Sequence, residues 1–405
     1  MTKFFAKQIF FCCITSFLLT GCLTHSDRNL QTLDRSSIED RQGCVSNYDP
    51  KTDYFPNKVS IDRAEGFSIE YKNNYKIVTV LNPWKDAEIT FQYVLVQCGT
   101  PIPKRFDRSQ IIEVPVRSVV ALSTTYLPHL DKLNLVDRIA GVRDFKQINT
   151  QSVIEKIEAK QIAEVGRDRT IDIETILNLN PDIVMTFGTG RSNHDSHPKL
   201  REAGLNVALN AEYLENSPLG RAEWLKFTAV FFNRDAEAEA IFTEIEKEYN
   251  RIVELVRNVK NRPTVFTGFS YDGTWYVPGG KSYVARFLTD AGASYLWQEN
   301  PSTGSIPLDF EVVYDKASEA EFWLNFSQSW QTKANAIEDD PRYGSFSAWQ
   351  LDRMYNNTAR VNQYGGNDYW ESGIVNPHLV LTDLVKIFHP ELMPESEMIY
   401  YQKLD

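Results

Sequence analysis

The stretch from Ala236 to about Val259 constrains this chain most. Ile241, Phe242, Ile245, Tyr249, Ile252, Val253 and Val256 recur at spacings of three and four, which places them on one face of a helix. Glu244, Glu246, Lys247, Glu248 and Arg251 take the other face. At 1.5 Å per residue such a helix spans about 35 Å, the width of a small domain, and Asn261-Arg262-Pro263 ends it. On both sides short apolar strands alternate with helical stretches, and that texture implies parallel sheets covered by helices.

Before the helix, Ser118 to Leu122, Arg138 to Val142, Asp182 to Phe187 and Asn206 to Leu209 read as strands. Helices are expected from Tyr126 to Leu133, where Ser123-Thr124-Thr125 can cap, and from Ile173 to Leu179. After the helix, Thr264 to Gly268 and Phe322 to Phe326 read as strands, and Ser282 to Ala291 and Leu379 to Phe388 as helices. Upstream, Phe67 to Tyr71, Tyr75 to Val80 and Ile89 to Val96 are β-rich, with Lys72-Asn73-Asn74 as a turn, and predict a small antiparallel section. The fold class is therefore α/β: two lobes with parallel-type sheets joined by one long interdomain helix, plus an N-terminal β-rich segment. The expected divisions are a signal at 1–21, a flexible tether at 22–44, the β-rich segment at 45–116, an N-terminal lobe at 117–235, the linking helix at 236–260 and a C-terminal lobe at 261–405.

The signal is read from Lys3 and Lys7, the apolar run from Ile9 to Leu19, and Leu19-Thr20-Gly21-Cys22. This order looks like a lipobox, cut before Cys22 so that its thiol carries lipid. The run is short for a bilayer core of about 30 Å; an uncleaved membrane anchor is the other reading. Polar residues from Leu23 to about Arg41 suit a tether. Cys12 and Cys13 lie in the signal, which leaves Cys44 and Cys98 as either a disulfide or two buried thiols. The net charge of -11 and the absence of a basic cluster argue against nucleic acid as a partner.

An internal echo links the two lobes. Gly166 to Glu174 leads into a helix and the strand at Asp182, and Thr303 to Glu311 leads into a helix and the strand at Glu321. Asp172 and Asp309 suit helix caps, whereas Glu174 and Glu311 form a matched pair, one per lobe, able to dock on basic residues of a partner.

With these segments in order, the chain resembles the periplasmic binding proteins for ferric siderophores, haem and cobalamin. The residues that carry the likeness are Val119 to Ser123, Asp137 to Val142, Ile173 to Leu177 with Asn180 to Val184, and Gly273 to Gly280. Asn376 to Asp383 and Phe388 to Leu392 extend it. The β-rich segment before residue 117 and the pair Cys44 and Cys98 depart from simpler members. The resemblance implies a monomeric solute-binding protein of an ABC importer, not an enzyme, held outside the cytoplasm by its lipid. It implies little lobe movement against a rigid helix, a small-molecule metal chelate as cargo, no cofactor of the protein's own, and a membrane permease whose arginines meet Glu174 and Glu311.

Ligands of open α/β sheets sit beyond the carboxyl ends of the strands. That rule nominates Tyr126, Arg191, Tyr271, Trp275, Tyr276, Lys281, Trp330, Tyr369 and Trp370. Aromatic faces suit a flat chelate or macrocycle, and Arg191 and Lys281 favour an anionic ferric chelate over haem or cobalamin. The same aromatics are also good lobe-packing residues. Rival readings are a zinc or manganese site at His194 and His197, which lacks the further ligands such a site needs, and a sensor without transport. No Gly-x-Ser-x-Gly elbow or phosphate-cradling loop supports an enzyme.

Overall fold

The computed structural model describes residues 43–167, 170–191 and 193–405. The expected signal, its Cys22 and nearly all of the tether lie outside the described residues.

The β-rich segment forms a four-stranded sheet of its own, β1 (Phe67–Tyr71), β2 (Tyr75–Val80), β3 (Phe91–Gln97) and β4 (Ile111–Val114), in that order. The first three strands are antiparallel, as their alternation predicts. β4, a strand of four residues that sequence reading overlooked, runs parallel to β3. Cys44 and Cys98 are joined by a disulfide, and the Val45 amide donates to the Cys98 carbonyl at 2.9 Å, so the start of the described chain is tied to the end of β3.

The N-terminal α/β lobe holds β5 (Val119–Ala121), β6 (Ile139–Val142), β7 (Ala163–Glu164), the small hairpin of β8 (Gly166–Arg167) and β9 (Thr170–Ile171), β10 (Ile183–Thr186) and β11 (Val207–Leu209). Its sheet runs β11-β10-β5-β6-β7, and every pairing in it is parallel. Successive residues point to opposite faces. Val119, Ala121, Ile183 and Met185 therefore enter one core, while Val120, Leu122 and Val184 enter another. A sheet covered on both faces explains why these strands are continuously apolar. Asp172 caps the helix Ile173–Leu179 by accepting from the Thr175 amide. Its counterpart Asp309 makes no such side-chain bond at the helix Phe310–Ala317.

The helix Pro218–Val230 has no counterpart in the sequence reading, because every one of its residues is buried and no polar face marks it. Ser217 caps it and Pro218 opens it. The β-rich segment covers it, and its buried charges are matched by that segment. The Glu223 carboxylate accepts from the amides of Asp62, Arg63 and Ala64 and pairs with Lys226 at 3.0 Å. Glu215, just before the helix, accepts from the Glu65 and Gly66 amides and from Trp224 Nε1. Lys76 of β2 pairs with Asp235 at 2.7 Å with both side chains out of water. Removing one partner of such a pair costs about 3–5 kcal/mol. The β-rich segment is thus built into the N-terminal lobe.

The linking helix runs from Asp235 to Val256, with Phe242, Ile245, Tyr249, Ile252 and Val256 buried along one stripe. Its Tyr249 hydroxyl donates to Asp290 at 2.7 Å, gripping the C-terminal lobe. That lobe contains β12 (Thr264–Thr267), β13 (Ser270–Tyr271), β14 (Thr274–Pro278), β15 (Ser294–Tyr295), β16 (Ser305–Leu308), β17 (Phe322–Leu324), β18 (Met354–Asn356) and β19 (Gln402–Lys403). The main sheet is β15-β12-β17-β18-β19, parallel except for β19, and β13-β14-β16 form a separate antiparallel sheet.

Candidate functional site

Beyond the carboxyl ends of β5, β6, β7 and β10 lies a cavity of about 700 Å³. Leu122, Leu127, Val142, Ile148 and Phe187 give it apolar walls. Ser123, Thr124, Gln147 and Thr170 add hydroxyls and an amide, and Arg143, Lys146, Asp144 and Glu164 add charge of both signs. The loop after β6 supplies half of these polar groups: Arg143, Asp144, Lys146 and Gln147. Its shape is held by two carboxylates: Asp144 accepts from the Lys146 amide and Glu164 from the Phe145 amide, both at 2.9 Å. Strands that stop together leave their last side chains facing one crevice, which is why the polar groups converge here.

A segment of the C-terminal lobe is fastened beside the cavity. Asn362 Nδ2 donates to the carbonyls of Lys146 at 3.0 Å and Ile148 at 3.2 Å. Glu371 accepts from the amides of Asn149 and Thr150, each at 2.8 Å. Burial raises the pKa of Glu371, and those hydrogen bonds oppose the shift. The Tyr364 ring centre stands 5.9 Å from Lys146 Nζ. The two lobes therefore meet along residues 146–150 and 362–371.

The residues nominated from sequence divide into three groups. Trp275, Trp330, Tyr369 and Tyr126 are buried and do not line the cavity. Trp275 Nε1 donates to the Thr267 carbonyl at 3.0 Å and its ring packs among Trp323, Tyr343 and Phe346. Trp330 donates to Asp339 at 2.9 Å and stacks on Phe326. Tyr369 lies against Tyr400 and Tyr401. Burial, and then the Glu212 carboxylate, push the Tyr126 hydroxyl well above its ordinary pKa. These side chains pack as core, where Trp275 and Trp330 find partners for their polar atoms. Lys281 belongs to a separate cavity of about 500 Å³, lined also by Arg63, Glu215, Ser217 and Arg286, so it does not join Arg191. Arg191, Tyr271, Tyr276 and Trp370 are exposed and do not line the 700 Å³ cavity. Tyr271 and Tyr276 share the open face of the small sheet, opposite Thr274 and Pro307 respectively.

Glu174 and Glu311 are both exposed in the first turns of their helices. Arg342 bonds Glu311 at 3.3 Å while also pairing with Asp340. The histidine pair does not assemble a metal centre. His197 is buried against Trp84 at 5.7 Å between ring centres, and desolvation lowers its pKa, while His194 is exposed. Among the described residues no cluster of three or more His, Cys, Asp or Glu is placed to hold a metal ion. Sequence reasoning missed Arg143 and Lys146. The rule that named Arg191 applied equally to Gly141-Val142-Arg143, the carboxyl end of the next strand, and would have found them.

Residues 119–360 match the periplasmic binding protein family, a span that takes in the parallel sheet of the N-terminal lobe, the main C-terminal sheet except β19, and the cavity. The chain belongs to that family. Its members are solute-binding proteins. Among curated relatives of this periplasmic binding protein, an uncharacterised lipoprotein of Methanocaldococcus jannaschii is 25% identical, with 97% of this chain and 94% of the relative aligned. A second lipoprotein of that organism is 27% identical over 77% of this chain and 80% of its own. Of solved structures, a periplasmic binding protein from Veillonella parvula superposes with a TM-score of 0.55 at 13% identity, covering 80% of this chain and 98% of that one. A periplasmic haem-binding protein from Pseudomonas aeruginosa gives 0.53 at 17% identity, covering 72% and 98%. At such identities these likenesses establish the fold. No helix among the described residues is long and apolar enough to cross a membrane.

Proposed function

We propose that this periplasmic binding protein captures a metal already wrapped in an organic chelator, of the ferric siderophore type, and hands it to an ABC permease. The observation that carries the reading is the cavity at the strand ends. Its volume of about 700 Å³ falls within the range of about 300–1,000 Å³ usual for small-molecule sites. Its walls offer hydroxyls, an amide, two cations and two carboxylates to the outside of a complex whose metal has its own ligands. Arg143 and Lys146, rather than Lys281, are the cations that would receive an anionic chelate. Arg191, Tyr271, Tyr276 and Trp370 are exposed outside the cavity and are open to a bulky cargo.

The proposal extends to delivery. Glu174 and Glu311 dock on arginines of the permease, and Arg342 must yield its contact with Glu311 when that happens. Cys22 carries the lipid that keeps the monomer at the outer face of the membrane. Haem or cobalamin in the same cavity is the second reading, favoured by the haem-binding neighbour.

Titrating intrinsic tryptophan fluorescence with ferric siderophores, haemin and cobalamin tests this. Saturable quenching by a ferric siderophore, weakened about tenfold in Lys146→Ala, is expected. Saturation by haemin or cobalamin alone selects the second reading, and saturation by none of the three sinks the chelate reading altogether.

A further inference from the structure

The cavity's Phe187 runs directly into the loop 188–195, and that loop is held from behind by a residue outside the region that matches the family. Trp84, in the turn between β2 and β3, lies flat against the loop backbone. A Cβ at Gly188 would come within 2.8 Å of Trp84 Cε3, and one at Gly190, where φ is +75°, within 2.7 Å of Trp84 Cδ1. Two glycines are thus required for the indole to touch the main chain. Trp84 is itself fixed by His197 at 5.7 Å and Phe91 at 6.0 Å between ring centres.

The loop's remaining bonds complete a closed frame. Buried Asp195 accepts from the Thr189 amide and hydroxyl, each at 2.7 Å, and from the Gly190 amide at 3.0 Å. The Tyr213 hydroxyl donates to the Gly188 carbonyl at 2.6 Å. Asp195 and Tyr213 hold the loop by hydrogen bonds, and Trp84 stops it from moving backwards. With that stop removed, the backbone at 188–190, which leads directly out of Phe187, has more room behind it, while the Phe187 ring keeps its edge contact with Tyr213 at 6.5 Å.

We infer that Trp84 is a positioning residue: the N-terminal β-rich segment uses it to fix the backbone at 188–190 and thereby the adjoining Phe187 wall of the cavity. The part concerning cargo rests on the reading of that cavity as the cargo site; the part concerning the loop does not.

Hydrogen exchange of the full chain without cargo tests the loop. Trp84→Ala should raise exchange at the Thr189 and Gly190 amides about tenfold or more, leave β10 protected, and be rescued by Trp84→Phe. Gly188→Ala should loosen the same amides by driving its methyl into the indole. Combined with Trp84→Ala, which removes the obstacle, Gly188→Ala should add little further. An unchanged loop in Trp84→Ala overturns the inference. So does a rise shared equally by β10, or simple multiplication of the two single effects. Dissociation of a bound ferric siderophore is then measured in the same variants. Faster release by about tenfold in Trp84→Ala but not in Trp84→Phe is expected, and equal release rates overturn the cargo part. If the wild type binds no chelate, the proposed cargo fails while the exchange data still decide the role of Trp84.

Discussion

The two α/β lobes share an architecture and use the carboxyl ends of their strands in opposite ways. In the N-terminal lobe those ends stay open, lined by short polar side chains and a loop of mixed charge. In the C-terminal lobe Trp275, Trp323, Trp330, Tyr343 and Phe346 pack on one another and on Phe266 of β12, and Trp275 and Trp323 bond the Thr267 and Gly268 carbonyls at the carboxyl end of that strand. The contrast teaches that richness in aromatics marks where a lobe has closed on itself, and that a cavity is found where side chains are too short to fill it.

The largest test of the contrast is Trp275→Ala. Emptying this fully buried site should cost about 3–5 kcal/mol in thermal unfolding, with cargo affinity unchanged in the surviving folded protein. A selective loss of affinity would restore Trp275 to the cargo site. Acid should next strain the open lobe. Burial holds His129, two positions along the helix from cavity-lining Leu127, neutral with its pKa lowered to about 3. The unfolded chain takes up a proton below about 6.5. Stability is therefore full above that pH and falls as pH drops, by about 3 kcal/mol on reaching pH 4. Urea unfolding at several pH values should show a flatter slope in His129→Gln; equal slopes would assign the acid loss elsewhere.

Glu371→Ala, which frees two partly buried amides on the opposite lobe, should cost about 2 kcal/mol and speed cargo release, as stopped-flow mixing would show. Faster release without any loss of stability would mean that the bridge between lobes is a gate only. The smallest effect belongs to Lys146→Ala: about 1.4 kcal/mol in affinity, a tenfold change, with the unfolding midpoint unmoved. A comparable loss from Lys281→Ala would place the cations of the site in the wrong cavity.

Much of the fold was legible in sequence because its signals are periodic. The linking helix shows a stripe at helical spacing, and β1, β2 and β10 show runs of the right length. The helix Pro218–Val230 was not legible, since burial on all sides erases the polar face that reveals a helix, and its charges Glu223 and Lys226 read as surface. β4, β16, β18 and β19 carry mixed or polar residues instead of the apolar runs that reveal the equally short β5 and β17. The site was less legible than the fold. The strand-end rule pointed to strand ends in both lobes, none of the side chains it nominated lines the 700 Å³ cavity, and type alone cannot separate a packed Trp275 from an exposed Trp370. Nothing local links Trp84 to Gly188, about a hundred positions away, because that contact exists only in three dimensions.

The disulfide near the start of the described chain has a mechanical consequence. If the molecule is held by its N-terminus, a pull that reaches Cys44 meets the covalent link to Cys98 before it reaches any strand among the described residues. The intervening loop, a separation of 54 residues, is shielded from that load. Fully extended, such a length would measure about 190 Å. Stretching from the amino end should therefore hide that contour length from a force spectrometer until a reductant is added, and the β-rich sheet should behave as a shackle rather than a zipper.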